Sequence, residues 1–194
     1  MPIRKVKDEI RILAFDDGPF TKGANRTVLI GVVFRGGSFM DGVLKRDITV
    51  DGTDAEAQLI GAVQQMKFKD VRVIMLDGIT FAGFNTVNIR KINEATRLPV
   101  VVVLRKKPNF DEFLNAMGRL PHSAERTRCV KDAGEVFWVK VGDSRLAFQT
   151  AGIAEKEAAE IIGVSCSHAN MPEPLRIAHL IAGGVVLGES VGRA

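Results

Sequence analysis

Apolar positions along the chain fall into two kinds of run. Short runs rich in β-branched residues and bounded by glycine read as strands, and longer stretches with apolar residues three and four apart read as helices. Three strands come first, Ile10–Phe15, Thr27–Phe34 and Ser38–Val50, joined by glycine-bearing connections that suit hairpins. The segment "AEAQLIGAVQQM" then reads as a helix behind Thr53 or Asp54 as N-cap, with Ala57, Ile60, Ala62 and Val63 toward one side. Next come a strand at Val71–Leu76, a loop, a helix from about Val87 to Thr96, and "VVVVL", so apolar that both faces of that strand must be covered. "NFDEFLNAMGRL" reads as a helix, and "EVFWVKV" with "RLAFQTA" as a hairpin turning at Gly142-Asp143. "IAEKEAAEIIG" is a periodic helix closed by Gly163, and "PEPLRIAHLIAGGVV" a last helix with Pro174 in its first turn.

Strands in hairpins followed by alternating helix and strand predict an α/β fold, a mixed sheet flanked by helices on both faces, over one domain spanning residues 1–194. A ribonuclease-H-like fold shows this order, and so do other α/β arrangements.

Composition narrows the function only a little. The 194 residues are 46% hydrophobic and 26% charged, ample for one core. A net charge of +4 permits a polyanionic partner without demonstrating one. Cys129 and Cys166 lack metal-site spacing and suggest no disulfide framework, so a reduced cytoplasmic setting is the expectation. No apolar signal core opens the sequence, and Arg176, His179 and Glu189 interrupt the late apolar segment, which argues against a membrane span.

The candidate chemistry lies in carboxylates placed where strands end: Asp16-Asp17 after "ILAF", Asp51 and Asp54 in "ITVDGTDAEA", and Asp77 after "VIML". Side chains at successive strand ends can converge on one sheet edge. Hard divalent ions take a few such oxygens and leave room for water and phosphate. Each aspartate also has an ordinary reading, since Asp-Gly is a turn sequence and Asp54 suits a helix cap. Asn85 fits either a place beside the site or the cap of the following helix. Arg105, emerging from the buried strand, suits a phosphate contact, while Lys106 and Lys107 read equally well as a solvated strand terminus. Of His122, His168 and His179 none has the local spacing of a metal pair. His179 reads as a hydrogen-bonded residue on a helix face, and none of the three is placed in catalysis. No phosphate-loop or dinucleotide fingerprint is present.

"MPEPLRIAHLIAGG", from Met171 to Gly184, resembles the C-terminal helix region of endonuclease V. "VIMLDG" followed by "LPVVVVLRKK" is similar to that family's strand ending in Asp-Gly and its later strand ending in a lysine, and "ILAFDD" takes the place of its first Asp-bearing strand. "DDGPF", "VDGTDA", "DGITFAGFN" and the "PEPLRIAHLIA…GESVGRA" ending resemble a largely archaeal family, a domain of unknown function related to endonuclease V. The resemblance implies a ribonuclease-H-like fold and a nuclease dependent on Mg²⁺ or Mn²⁺, acting on DNA or RNA. It implies Asp16, Asp54 and Asp77 as metal and catalytic residues, with Asp51 and Glu56 as other candidates for the middle position. Arg105 falls on the phosphate-contacting lysine, a change from a point charge to a planar fork. Two departures stand out. The family's histidine before the helix after the late hairpin is replaced by Ala151 or Gly152. No aromatic wedge flanked by prolines occurs in "SFMDGVLKRDI". These departures motivate a second expectation, a non-catalytic nucleic-acid-binding module that has lost the chemistry.

Overall fold

A seven-stranded sheet organises the described residues, 5–105 and 109–190 of the computed structural model. In chain order the elements are β1 (Arg11–Asp17), β2 (Arg26–Arg35), β3 (Phe39–Thr49), α1 (Ala55–Gln65), β4 (Val73–Asp77) and a two-residue pair, β5 (Thr80–Phe81) and β6 (Asn85–Thr86). They continue with α2 (Ile89–Thr96), β7 (Val100–Leu104), α3 (Phe110–Met117), α4 (Ser123–Asp132), β8 (Phe137–Val141), β9 (Ser144–Ala151), α5 (Glu155–Ser165) and α6 (Glu173–Leu187). The strand order is β3-β2-β1-β4-β7-β9-β8. β1, β4 and β7 run parallel in the centre, and all other pairings are antiparallel. The mixed sheet with helices on both faces is the architecture expected from the pattern.

Strict alternation in the central strands divides the core into two layers. Leu13 and Phe15 of β1, Ile74 and Leu76 of β4 and Val100 and Val102 of β7 face α1 and α2. Ile12 and Ala14, Val73 and Met75, and Val101 and Val103 face α5 and α6. Both faces are fully covered, which is why "VVVVL" carries no polar position.

Several boundaries move for physical reasons. β1 runs two residues beyond Phe15, because Asp16 and Asp17 still pair with Ile30 and Leu29 of β2. The expected loop after Asp77 folds into the β5–β6 pair. α2 starts behind Asn88, whose side chain accepts from Arg90 and Lys91 N–H. Asn85 caps a helix, but the preceding one: its Oδ1 accepts the Ala55 N–H at the start of α1. α4 is an element the pattern does not predict, since its polar opening "SAERTR" leaves only Cys129, Val130 and Ala133 as its apolar side. It is held by buried Arg126, whose guanidinium donates to the carbonyls of Asp51, Phe84 and Pro121. Among the described residues no helix is long and apolar enough to cross a membrane.

Candidate functional site

Three neighbouring parallel strands present their C-terminal ends at one rim. Phe15 of β1 is paired with Leu76 of β4, so the residues one step on, Asp16 and Asp77, lie side by side. Asp77 in turn is paired with Val103 of β7, two residues before Arg105. Parity then decides where the side chains go. Asp16 continues Ile12 and Ala14, Asp77 continues Val73 and Met75, and Arg105 continues Val101 and Val103, so all three project to the α6 face. They line one cleft of about 510 Å³ together with Asp17, Phe20 and His179.

His179 arrives from α6. Leu175, Ala178 and Ala182 of that helix are buried against the sheet, and His179, one turn beyond Leu175, points toward the same layer. Its Nδ1 donates to Asp16 Oδ2 at 2.9 Å. The close approach of α6 needs Gly18, directly after the acidic pair. A Cβ there would come 2.7 Å from Val186 Cγ2 and 2.8 Å from Val28 Cγ2. Gly78 follows Asp77 at φ +81, a left-handed turn that bends the chain away behind the carboxylate.

The charges are poorly compensated. Asp16 is 6% exposed, and its Oδ1 accepts the Asp17 N–H at 2.9 Å. Burial pushes the Asp77 carboxyl up to about 6, and the neighbouring charge of Asp16 adds to this against the opposing pull of Arg105, 3.6 Å away. Burial likewise pushes Asp17 up to about 6, again with Asp16 adding, although Ala82 N–H donates to its Oδ2 at 2.9 Å. The hydrogen bond to Asp16 raises the pKa of His179 and favours its protonated form.

Such a donor set suits a hard divalent cation. Carboxylate oxygens are its preferred ligands, and a double positive charge would offset the burial and the Asp16 charge that raise the Asp17 and Asp77 carboxyls. Among the described residues no three His, Cys, Asp or Glu side chains form a ready-made shell.

Of the four residues expected in the site, the structure brings together Asp16, Asp77 and Arg105. Asp54 is not among the residues that line the cleft. Its helix, α1, packs on the opposite layer through Ala55, Leu59, Ala62 and Val63. Its carboxylate accepts from Thr49 N–H at 3.0 Å, Thr49 Oγ1 at 2.9 Å and Asn85 Nδ2 at 2.7 Å. Burial opposes ionisation there, yet these bonds hold Asp54 below the usual carboxylate range. The other candidates for the middle position are engaged locally as well: Asp51 accepts from Phe84 N–H, and Glu56 from Asn88 N–H. Lys106 and Lys107 lie outside the described residues. His179 is the site residue that pattern reading left out. Its helical position was evident, but its partner lies 163 residues away in the chain. Neither cysteine joins the site, and burial pushes their thiols up to about 11 for Cys129 and about 12 for Cys166.

Residues 8–186 match the family described as Endonuclease dU. A UPF0215 protein of Methanothermobacter thermautotrophicus is 46% identical over 194 residues, covering 98% of this chain and 95% of its own. A crystal structure from Archaeoglobus fulgidus, described as a protein of unknown function, superimposes with a TM-score of 0.83 at 39% identity, covering 91% of this chain and 98% of that one. The Ciona intestinalis endonuclease V, in complex with a 24mer DNA containing an inosine followed by a ribo-adenosine, superimposes with a TM-score of 0.55 at 13% identity. It covers 87% of this chain and 82% of its own, and at that identity shows a shared fold, the one the sequence resemblance implied.

Proposed function

The chain belongs to the Endonuclease dU family, and from that membership together with the acidic cleft we propose that it is a divalent-cation-dependent endonuclease acting on DNA or RNA. The observation that carries the proposal is the meeting of Asp16 and Asp77, from neighbouring parallel strands, on one face of one cleft. Asp16 and Asp77 would hold the cation, with Asp17 beside them. Mg²⁺ or Mn²⁺ bound there supplies an activated water and stabilises the leaving oxygen. Arg105 presents a planar fork that matches phosphate oxygens two at a time. His179 fixes the Asp16 carboxylate through Nδ1, and the same bond raises its pKa, so it would serve as a proton donor beside Asp16.

The dU of the family's description makes DNA containing deoxyuridine the first substrate to try, and inosine-containing DNA the second. A non-catalytic nucleic-acid-binding module is the alternative. It is favoured by the engagement of Asp54 with Thr49 and Asn85 and by the Ala151-Gly152 replacement of the family histidine. The two separate when Mn²⁺ is titrated into chelator-treated protein, which is then incubated with end-labelled deoxyuridine, inosine, mismatched and single-stranded substrates. Cation binding with strand cleavage, both lost in Asp77→Asn, is expected. Absence of both, with nucleic-acid binding retained, leaves the binding module.

A further inference from the structure

Beyond the acidic cleft, Arg105 also lines a second cleft of about 410 Å³, shared with Ser144, Arg145 and Met171. Arg145 stands at the start of β9, and its guanidinium carbon lies 6.0 Å from the ring centroid of Trp138 on the edge strand β8. β8 alternates: Phe137, Val139 and Val141 pack into the core, while Trp138 and Lys140 turn away from it. Trp138 is 43% exposed. An exposed tryptophan forfeits a large burial gain, and an arginine stacked on it makes a flat cationic surface instead of hiding it. Among the described residues neither Arg145 nor Lys140 forms an ion pair, although Asp143 lies in the turn between them.

Resting on the nuclease reading above, we propose that this rim is the track for the single-stranded polynucleotide flanking the cleavage point, with Arg105 and Arg145 on phosphates and a base stacked on Trp138. The register shows the course such a single strand must take. Trp138 is paired with Ala147, and Ala147 with Leu104. Trp138 and Arg145 therefore stand on the α1/α2 side of the sheet while Arg105 turns to the α6 side. The single strand crosses the end of β9 through the cleft that Arg105 and Arg145 both line. Two strand spacings separate the backbones of Trp138 and Leu104 by about 10 Å, and the crossing lengthens that path. Cationic groups following a backbone beside an aromatic platform are the recurrent means of holding a single strand without reading its sequence.

Trp138 is the sole tryptophan of the chain, so its fluorescence reports on this surface alone. The test titrates a dozen-residue single-stranded deoxyuridine-containing oligonucleotide into the full-length chain in chelator, following tryptophan emission and, separately, anisotropy of a label on the oligonucleotide. Quenching should saturate together with anisotropy. Trp138→Ala should weaken binding about 5- to 150-fold, Trp138→Phe should restore most of it, and Arg145→Ala should weaken it and lower the salt slope by about one. Thermal melts of each variant should match the parent. Anisotropy that saturates while the emission is unchanged, with Trp138→Ala binding as tightly as the parent, overturns the track. Adding Mn²⁺ afterwards separates the two ideas. Quenching without cleavage keeps the track and removes the nuclease reading. Cleavage with unchanged emission does the reverse, and neither binding nor cleavage overturns both.

Discussion

The two rims of the central sheet carry the same residue types and reach opposite electrostatic outcomes. At the rim where β2 ends and β1 begins, Asp41 receives two hydrogen bonds at 2.9 Å from Arg35 and lies 2.8 Å from Arg11, which in turn lies 2.6 Å from Asp70. There the bond to Arg35 holds Asp41 below the usual carboxylate range. At the other rim Asp77 lies 3.6 Å from Arg105 and Asp16 is bonded to His179, while Asp17 has only a backbone N–H, and Asp17 and Asp77 are pushed up to about 6. Both rims open into clefts of similar size, about 530 and 510 Å³, so volume does not tell them apart. The surroundings of the carboxylates do. At the first rim Asp41 and Asp70 each lie against an arginine, in a cleft also lined by Lys5, Lys7 and Arg72, whereas the second gathers three carboxylates against burial, the environment in which carboxyl pKa values rise.

The largest effect should come from Asp77→Asn. Cleavage should fall by about 10²–10³-fold, the size expected when one fixed electrostatic group is lost from a reacting centre. The metal-free variant should nevertheless melt higher than the parent. A carboxyl held about two units above its normal value costs the ionised fold about 3 kcal/mol before relaxation. Asp41→Asn at the other rim should lower the melting temperature and leave cleavage untouched. If both variants lower it alike, the two rims are equivalent structural ion clusters and the distinction drawn between them is void.

His179→Ala should reduce cleavage by about a hundredfold, the lower end of what a positioned general acid contributes, and remove the alkaline limb of its pH profile. His179→Gln, still able to donate to Asp16, should recover part of the rate but not that limb. A full rate in the alanine variant would confine the histidine to packing.

Stability should depend on pH in an unusual direction. Asp17 and Asp77 have folded pKa values near 6 against an ordinary 3.8, so between those values the native state binds more protons than the unfolded chain. Metal-free stability is therefore greatest below about pH 4 as far as these groups contribute, and is lost as pH rises through 6. Chemical denaturation in chelator from pH 4 to 7 should show that decline at a slope no steeper than about 1.4 kcal/mol per pH unit for each group. Mn²⁺ should restore stability at pH 7 and do little at pH 4. A flat profile would mean that the acidic rim is already neutralised.

The smallest effect on cleavage among the candidate site residues is assigned to Asp54→Ala. It removes the bonds from Thr49 and Asn85, so it should cost about 1.5–3 kcal/mol of stability, the range for hydrogen bonds to a charged group, and change cleavage less than twofold. A loss of a hundredfold would return Asp54 to the metal site and require α1 to move.

Legibility differed between residues for identifiable reasons. Asp16 and Asp77 could be picked out because each ends a strand too apolar to be anything but central, and parallel central strands bring their ends to one rim. Asp54 shares the composition and the turn context, yet its helix is committed by Ala55, Leu59 and Ala62 to the opposite layer. α4 is hard to read from sequence because its apolar side is short, Cys129, Val130 and Ala133 at its C-terminal end, and the position one turn earlier is the buried Arg126, bonded to backbone carbonyls. The stacked Trp138 and Arg145 sit on the two strands of a hairpin whose turn was legible, but their exposure was not.

Periodicity alone determined the seven strands of the main sheet, most of the helices and the mixed α/β order, because burial demands a period of two or of 3.6 wherever a segment lies. It also placed Asp16 and Asp77 directly behind the apolar runs that end at Phe15 and Leu76. Which face those carboxylates share, that His179 comes to them from the far end of the chain, and that Asp54 stays behind were decided by the assembled sheet. Strand register and layer assignment are relations between segments, and no single segment encodes them.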